Sequence, residues 1–469
     1  MATRVRGTLF TLGAGALLQR LAQLLSMLCI ARTLGTAATG VYALGMAAGT
    51  LLAVLAGAGI RNFVARQIVR EPATAGDWVR SAVRARLLLG LALLAPFALA
   101  TTIASARPLF WCLCGLQVVP LALDLKGLLD ALARTRREVL IETTASLLQF
   151  AATAAWMVAG GGDLATLAAI ALGARGLYAA AAVATLRRLP RHGQGPSLRT
   201  LARRCAALSL GQTANELATT TDVLLVGWFG GDGTAGLYAV AQRIAGAASQ
   251  PSALLARLLL PHFHRAATAG DPARMTRTAL RACAFAVLPL CAGGMVTAEP
   301  LCALFGNGFA AAAWPLRLCL IAVALQHLGW QCSHALFGLL RERAYVLTLG
   351  LPALLHGLGI AALVPLAGAT GAAASAVVAQ AAYWVMTWVA LRRHLRLRLR
   401  RTLQQPLQVA AITAAVTATV AWACEPAGLP GQLVAGGLAF LIGLWRCELR
   451  GRSHRFGAGL VEASGFHGG

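Results

Sequence analysis

The sequence predicts an all-α polytopic membrane protein of about 14 transmembrane helices. Three observations carry that prediction. Of 469 residues, 58% are hydrophobic and 12% charged, with a mean hydropathy of +0.69, whereas a soluble domain averages roughly 25% charged. Apolar runs of about 20 residues, the length of helix that crosses a bilayer, follow one another along the chain. The arginines fall in every second interval between those runs.

In order, the runs lie at about 8–31, 41–63, 83–104, 108–131, 139–160, 163–186, 206–229, 235–260, 278–298, 314–339, 345–366, 369–391, 404–424 and 430–449 on a window of about 20 residues. The first follows Met1-Ala-Thr-Arg-Val-Arg-Gly and has no small-residue cleavage site, so it reads as a retained span rather than a removed signal peptide. All must be helices, because an isolated strand in hydrocarbon leaves its N–H and C=O groups unpaired, and the short alternating segments of a barrel are missing.

Orientation follows from the basic residues, which resist translocation. One set of intervals carries Arg4 and Arg6; Arg66, Arg70, Arg80, Arg84 and Arg86; Arg134, Arg136 and Arg137; Arg187, Arg188, Arg191, Arg199, Arg203 and Arg204. It continues with Arg265, Arg274, Arg277 and Arg281; Arg341 and Arg343; the run from Arg392 to Arg401; and Arg446, Arg450 and Arg452. The other set holds little besides Arg32, Arg107, Asp163, Asp232, Glu299 and Glu425. Both termini are therefore expected in the cytoplasm. The net charge of +25 then reports topology, and no nucleic-acid partner is expected. The eleven cysteines lack the paired CxxC spacing of a zinc or redox site and read as packing residues, so no metal, cofactor or disulfide framework is expected. No extramembrane segment is long enough for a domain, which places any function inside the bundle.

An internal repeat organises the spans. Thr33-Leu-Gly-Thr-Ala-Ala-Thr-Gly-Val-Tyr-Ala parallels Phe229-Gly-Gly-Asp-Gly-Thr-Ala-Gly-Leu-Tyr-Ala, with Gly40, Tyr42 and Ala43 each 196 residues before Gly236, Tyr238 and Ala239. Six spans separate the copies, so both have the same orientation, as parallel repeats about an axis along the membrane normal. Gly-x-Tyr-Ala also reads as a hairpin cap, glycine for the turn and tyrosine at the interface. The expected organisation is a lobe at 1–190, a cytoplasmic linker at 191–205, a second lobe at 206–395, two further helices at 396–450 and a disordered tail at 451–469.

The stretch Ile30-Ala-Arg-Thr-Leu-Gly-Thr-Ala-Ala-Thr-Gly-Val-Tyr-Ala-Leu, with Leu55-Ala-Gly-Ala-Gly-Ile-Arg-Asn-Phe-Val-Ala-Arg-Gln-Ile-Val-Arg-Glu, resembles the first two helices of Wzx-type polysaccharide flippases. The likeness continues at Asp222-Val-Leu-Leu-Val-Gly-Trp-Phe-Gly, Gly236-Leu-Tyr-Ala-Val-Ala-Gln-Arg-Ile and Ala298-Glu-Pro-Leu-Cys-Ala-Leu-Phe-Gly. The resemblance implies two parallel six-helix lobes in a V plus two extra C-terminal helices, in a superfamily that also holds multidrug extruders and the peptidoglycan-precursor flippase. It implies, too, a polyprenyl-diphosphate-linked oligosaccharide moved to the outer leaflet of a bacterial inner membrane, H+ or Na+ as coupling ion, and polymerase and chain-length proteins as partners.

Charges inside spans are the candidate site residues, since each costs about 2.5–3.5 kcal/mol near the bilayer centre unless it meets a partner or a watery cavity. Arg20, midway along the first run, has Glu216 as its repeat equivalent in the seventh, which reads as a cleft-lining pair or as a structural ion pair. Arg175 in the sixth run and Arg243 in the eighth join Arg20 as candidates to hold a diphosphate, for which a guanidinium is a permanent, forked donor; Arg243 also reads as a headgroup anchor. Arg61 and Arg257 match under the same offset and read equally as substrate contacts or as snorkelling residues. Asp222 reads as a proton or Na+ carboxylate, or as a partner of Arg243. Lys126 and Asp130 are spaced for an internal salt bridge beside Asp124. His327 and His334 in the tenth run read as packed, hydrogen-bonded histidines. A cation-coupled drug or metabolite extruder of the same fold is the nearest alternative. A sugar-lipid polymerase is a second, and the short outer loops, poor in carboxylates and histidines, argue against an enzyme.

Overall fold

A computed structural model describes residues 2–423 except 58–59, 61–62, 65–66, 69–70, 72–73, 125–134, 187–192, 194–195, 253–254, 256–271, 339–341 and 396–398. All regular structure among the described residues is helical. In chain order the helices are α1 (Ala2–Gly57), α2 (Ala75–Ala104), α3 (Pro108–Leu116), α4 (Val118–Ala122), α5 (Thr135–Val158), α6 (Leu164–Leu186), α7 (Leu198–Ala248), α8 (Pro272–Val296), α9 (Ala298–Ala303), α10 (Ala313–Gly338), α11 (Glu342–Arg392) and α12 (Leu399–Ala423), with a 3-10 turn at Asn307–Ala312. Seven helical stretches among the described residues are long and apolar enough to cross a membrane. The expected fourteenth span and the expected tail lie outside the described residues.

Three of these helices are hairpins rather than rods. Gly35, Gly231 and Gly368 break α1, α7 and α11 at φ/ψ of 74°/−174°, 79°/175° and 53°/−134°, positive-φ backbone open essentially to glycine, where another residue costs on the order of 1–3 kcal/mol. The arms fold back on each other. In α7 the Tyr238 hydroxyl donates to Asp222 across the break at 3.4 Å; in α11 His356 Nδ1 and Ser375 Oγ stand 2.9 Å apart, and a Cβ on Gly371 would meet the Leu363 carbonyl oxygen at 2.2 Å. The turn glycines are thus Gly35 and Gly231, not the Gly40 and Gly236 of the Gly-x-Tyr-Ala motif, which sit inside helix.

Those motif glycines serve packing instead. A Cβ on Gly40 would lie 1.7 Å from the Asp232 carbonyl oxygen, and one on Gly236 would lie 2.1 Å from the Thr36 carbonyl oxygen. Thr36 and Asp232 are themselves 196 residues apart, so the contact maps onto itself under the repeat offset. The sequence repeat is therefore a spatial two-fold at this point. Elsewhere on α1, Gly45 and Gly49 bring the second arm against Phe110 and Cys114 of α3, where a Cβ on Gly49 would stand 2.1 Å from the Cys114 carbonyl oxygen. Small residues spaced in this way let helix backbones approach in a lipid solvent that offers no hydrophobic drive between helices.

Contacts divide the chain into two compact units, Met1–Ala239 and Val240–Gly469. In the first unit one core gathers Ile30, Tyr42, Phe110, Cys114, Leu164 and Leu167, and another gathers Val64, Ile68, Trp78, Val79, Ala182 and Leu201. In the second, Leu280, Ala284, Leu328, Cys332, Leu336, Leu391 and Leu403 join α8, α10, α11 and α12. Large apolar side chains also point outward, with Leu99, Ile103, Trp228 and Leu366 at 63%, 78%, 84% and 82% exposure. Such exposure suits acyl chains and would be a liability in water.

Candidate functional site

Polar side chains inside the first unit lie in several small groups on α1, α2, α5 and α6, together termed a seam. Gln19 and Gln23 lie one turn apart on α1, and Arg20 between them donates through Nη1 to Gln23 Oε1 at 3.2 Å. Gln19 Nε2 donates to Glu142 Oε1 on α5, and one residue on, the Thr143 hydroxyl donates to the Gly15 carbonyl at 3.2 Å. Glu138, one turn earlier on α5, is fully buried. Both carboxylates lie within electrostatic reach of Tyr178 on α6, whose hydroxyl donates to Asp124 Oδ1 at 3.2 Å.

Asp124 is held from the other side by its backbone. Arg86 of α2, 6% exposed, donates to the Leu121 carbonyl at 2.6 Å and the Asp124 carbonyl at 2.8 Å. One guanidinium thus caps the C-terminal end of α4, where unpaired carbonyls and the helix dipole both favour a cation. Arg175, near the middle of α6, is half-buried and within electrostatic reach of the fully buried Cys114. The seam alternates sign: Arg20, Arg86 and Arg175 among Asp124, Glu138 and Glu142. Such an interior neutralises charge locally while leaving groups that can exchange partners with an incoming anion or cation.

The remaining expected residues are placed as follows. Glu216 is half-buried on the first arm of α7, at the place matching Arg20 on α1, and its carbonyl accepts the Thr220 hydroxyl at 2.7 Å. Asp222 is 3% exposed; besides Tyr238 it accepts the Val223 N–H at 2.6 Å, so in this structure it latches the two arms of α7. Arg243 belongs to the second unit and is exposed. Arg61, Arg257, Lys126 and Asp130 lie outside the described residues.

Sequence reasoning missed Glu138, Glu142, Tyr178 and Arg86. The fifth span was expected to begin at 139, which left Glu138 outside it, and Glu142 within it was not singled out; α5 begins at Thr135 and Glu138 is buried. Arg86 was grouped with Arg80 and Arg84 as an interval charge, yet α2 begins at Ala75 and contains all three. The available signal was angular: Arg84 and Arg86, two residues apart on a helix, do not share a face, so both cannot reach the same water.

Residues 5–266 match the family described as polysaccharide biosynthesis protein. No curated protein matches the chain. Among solved structures, the lipid II flippase MurJ in an inward closed conformation superposes with a TM-score of 0.76 at 11% identity, covering 94% of this chain and 99% of that one. An inward-facing multidrug resistance MATE family transporter of the MOP superfamily gives 0.62 at 16% identity, over 80% of this chain and 94% of that one. A MOP superfamily transporter from Pyrococcus furiosus, described by the reverse polarity of its binding pocket, gives 0.54 at 15% identity, over 82% and 95%. At these identities the likeness is one of fold.

Proposed function

Because the chain belongs to the polysaccharide biosynthesis protein family, we propose that it is a Wzx-type flippase. It carries a polyprenyl-diphosphate-linked oligosaccharide from the cytoplasmic to the outer leaflet of a bacterial inner membrane for cell-surface polysaccharide synthesis. The observation that carries this reading is the seam of permanent cations inside the first unit, with Arg20 and Arg175 on membrane-length helices and Arg86 buried between α2 and α4. A diphosphate is a dense anion, and a guanidinium meets it with a fork of donors that stays charged at any working pH. Glu142, Glu138 and Asp124 are the groups with which an arriving phosphate would compete, so binding is moderate, as release demands.

In this proposal the two lobes are 1–190 and 206–395, the sugar-diphosphate head is taken up by the intramembrane arginines, and the isoprenoid tail stays in lipid. Arg20 and Arg175 hold the head first, and Arg243, Glu216, Arg61 and Arg257 line its path. Asp222 is the proposed carboxylate for a coupling ion, and a polymerase with its chain-length protein takes up the product. The decisive experiment is deletion of the gene with leaflet-resolved detection of the lipid-linked oligosaccharide: accumulation in the inner leaflet is expected, and an unchanged distribution rejects the reading.

The carboxylates Glu138 and Glu142 support a second reading, a cation-coupled extruder of drugs or metabolites, since cationic substrates favour buried acids. Expression in a drug-susceptible host separates the two. Raised tolerance to cationic drugs selects the extruder, and unchanged tolerance with restored polysaccharide export selects the flippase.

A further inference from the structure

The second unit gathers positive charge at one end. Between Asp271 and Ala423 the chain has 12 arginines and three acids, Asp271, Glu299 and Glu342. Arg277 lies in the second turn of α8, Arg392 closes α11, Arg393 and His394 follow it, and Arg400 opens α12. One core brings the three helices together there: Met275, Ala279 and Leu280 of α8 pack with Leu391, Leu395 and Leu403. The His394 and Leu395 N–H groups both return to the Leu391 carbonyl at 2.9 Å. The chain thus turns on leucines held in the core and leaves Arg392, Arg393 and His394 exposed, as Arg277 and Arg400 are. Among the described residues, Arg277, Arg392, Arg393 and Arg400 form no ion pair. Arg274 stands three residues after Asp271 and is left out of this set.

Topology asks only that arginines lie on this side of the membrane. It does not ask that a core fix them in place, or that they stand at the head of an apolar face. Residues seven apart share a helix face, so Val378, Val385 and Arg392 run in line along α11, and Leu407 lies in line with Arg400 on α12. Val378, Val385 and Leu407 are 53%, 55% and 53% exposed. Each outward apolar stripe therefore ends in a guanidinium about 10 Å further along the axis. Helices α8 and α11 are long and apolar enough to cross a membrane, and the half-buried Trp388, one turn before Arg392, is the residue type that settles at the membrane–water interface. The first turn of α12 adds a second sign of purpose, because it holds no acid and two arginines, Arg400 and Arg401, where the helix dipole favours anions. Cations so placed weaken the helix by itself and suit an anion supplied from outside it.

We propose that this end of the second unit is a docking surface for anionic phospholipids: Arg277, Arg392, Arg393 and Arg400 receive the headgroup phosphates, and the acyl chains lie on the stripes that end at Arg392 and Arg400. A guanidinium suits a phosphodiester, since it keeps its charge and offers a fork of donors to two oxygens. Cations close to an anionic leaflet add their attractions to one another, so four held on one surface act together. The apolar stripes favour a lipid over a soluble acidic protein, which would leave Val385 and Leu407 uncovered. The surface is separate from the arginines of the first unit, and it does not depend on which substrate the protein moves.

Native mass spectrometry of the purified full chain, stripped of lipid and returned to micelles with equal phosphatidylglycerol and phosphatidylcholine, tests this. The wild type should retain phosphatidylglycerol with about tenfold preference, the scale of a few surface arginines after screening. The combined variant Arg277→Gln, Arg392→Gln, Arg393→Gln and Arg400→Gln should retain the two lipids alike. Arg32→Gln with Arg107→Gln, exposed arginines of the first unit, should keep the preference. If the combined variant does not fold, the four single variants replace it, each lowering the preference about twofold. Equal retention of both lipids by the wild type, or a preference intact in the glutamine variants, overturns the surface. Soluble glycerophosphate competing as well as phosphatidylglycerol would mean an anion site without a lipid and overturns it too. Poly-glutamate held by the wild type in phosphatidylcholine micelles, with no preference for phosphatidylglycerol, would assign the arginines to an acidic protein instead. No flipping is measured, so each of these outcomes leaves the transport proposal to its own experiment.

Discussion

Arg86 shows how one side chain joins three helices: it rises from α2, closes the end of α4 and fixes the Asp124 backbone whose carboxylate receives Tyr178 from α6. Replacing it with Met leaves the part-buried Leu121 and Asp124 carbonyls without this donor, and a loss of about 2–3 kcal/mol is expected. Arg86→Lys should fall between, because a point charge cannot fork to both oxygens; thermal unfolding in detergent measures both. Arg20→Ala and Arg175→Ala should instead insert and fold normally while losing flipping, and normal transport by both variants would rule out their proposed role. Asp163 is exposed ahead of α6 and accepts the Thr166 N–H at 2.9 Å, which holds its carboxyl below the usual range. Its folded pKa is depressed, so its contribution is present above the unfolded value and fades as pH falls through the folded one. Asp163→Ala should cost about 1 kcal/mol at neutral pH, trimmed by solvent screening, and close to nothing in strong acid.

At the level of elements, the crossing of α1 and α7 is the tightest backbone approach described, and its two halves are copies. A methyl group on Gly40 or Gly236 cannot be placed without parting the helices, since each would enter a carbonyl oxygen. Gly40→Ala and Gly236→Ala should each lower the thermal midpoint of the purified protein. The double variant should lose less than the sum of the two, because the first substitution already separates the shared contact. Additive losses would mean that the glycines act independently. The hairpin breaks are a separate matter: Gly35 and Gly231 combine φ near 75° with ψ near 180° and have open space where a Cβ would go, so alanine there costs only the backbone strain, on the order of 1–3 kcal/mol.

For the whole molecule, the alternation of arginines makes an orientation that labelling can check. Cysteines introduced at Ser197 and His394 should react with an impermeant maleimide only from the cytoplasmic side, and one at Asp163 only from the outside. A reversed pattern at any one of the three would mean that a span is miscounted between them. The division into two compact units at Ala239 and Val240 is set by contact, and falls within the second arm of α7 because the start of that arm is pinned to α1 through Gly236.

The sequence by itself determined the solvent and the secondary structure. Hydropathy and the need to pair every backbone group in lipid leave only helices, and α6, α10 and α12 begin and end close to the apolar runs expected for them. The repeat was legible too, since duplication leaves matching residues such as Tyr42 and Tyr238 in linear order. Tertiary structure alone decided which glycine turns and which packs, that Glu138 and Arg86 are buried, and that Ser252, Cys283 and His327 meet in one buried hydrogen-bonded group. The physical reason is range. Hydrophobicity sums over neighbours along the chain, whereas the worth of a buried charge or hydroxyl depends on which distant helix supplies its partner, and no local pattern of residues records that.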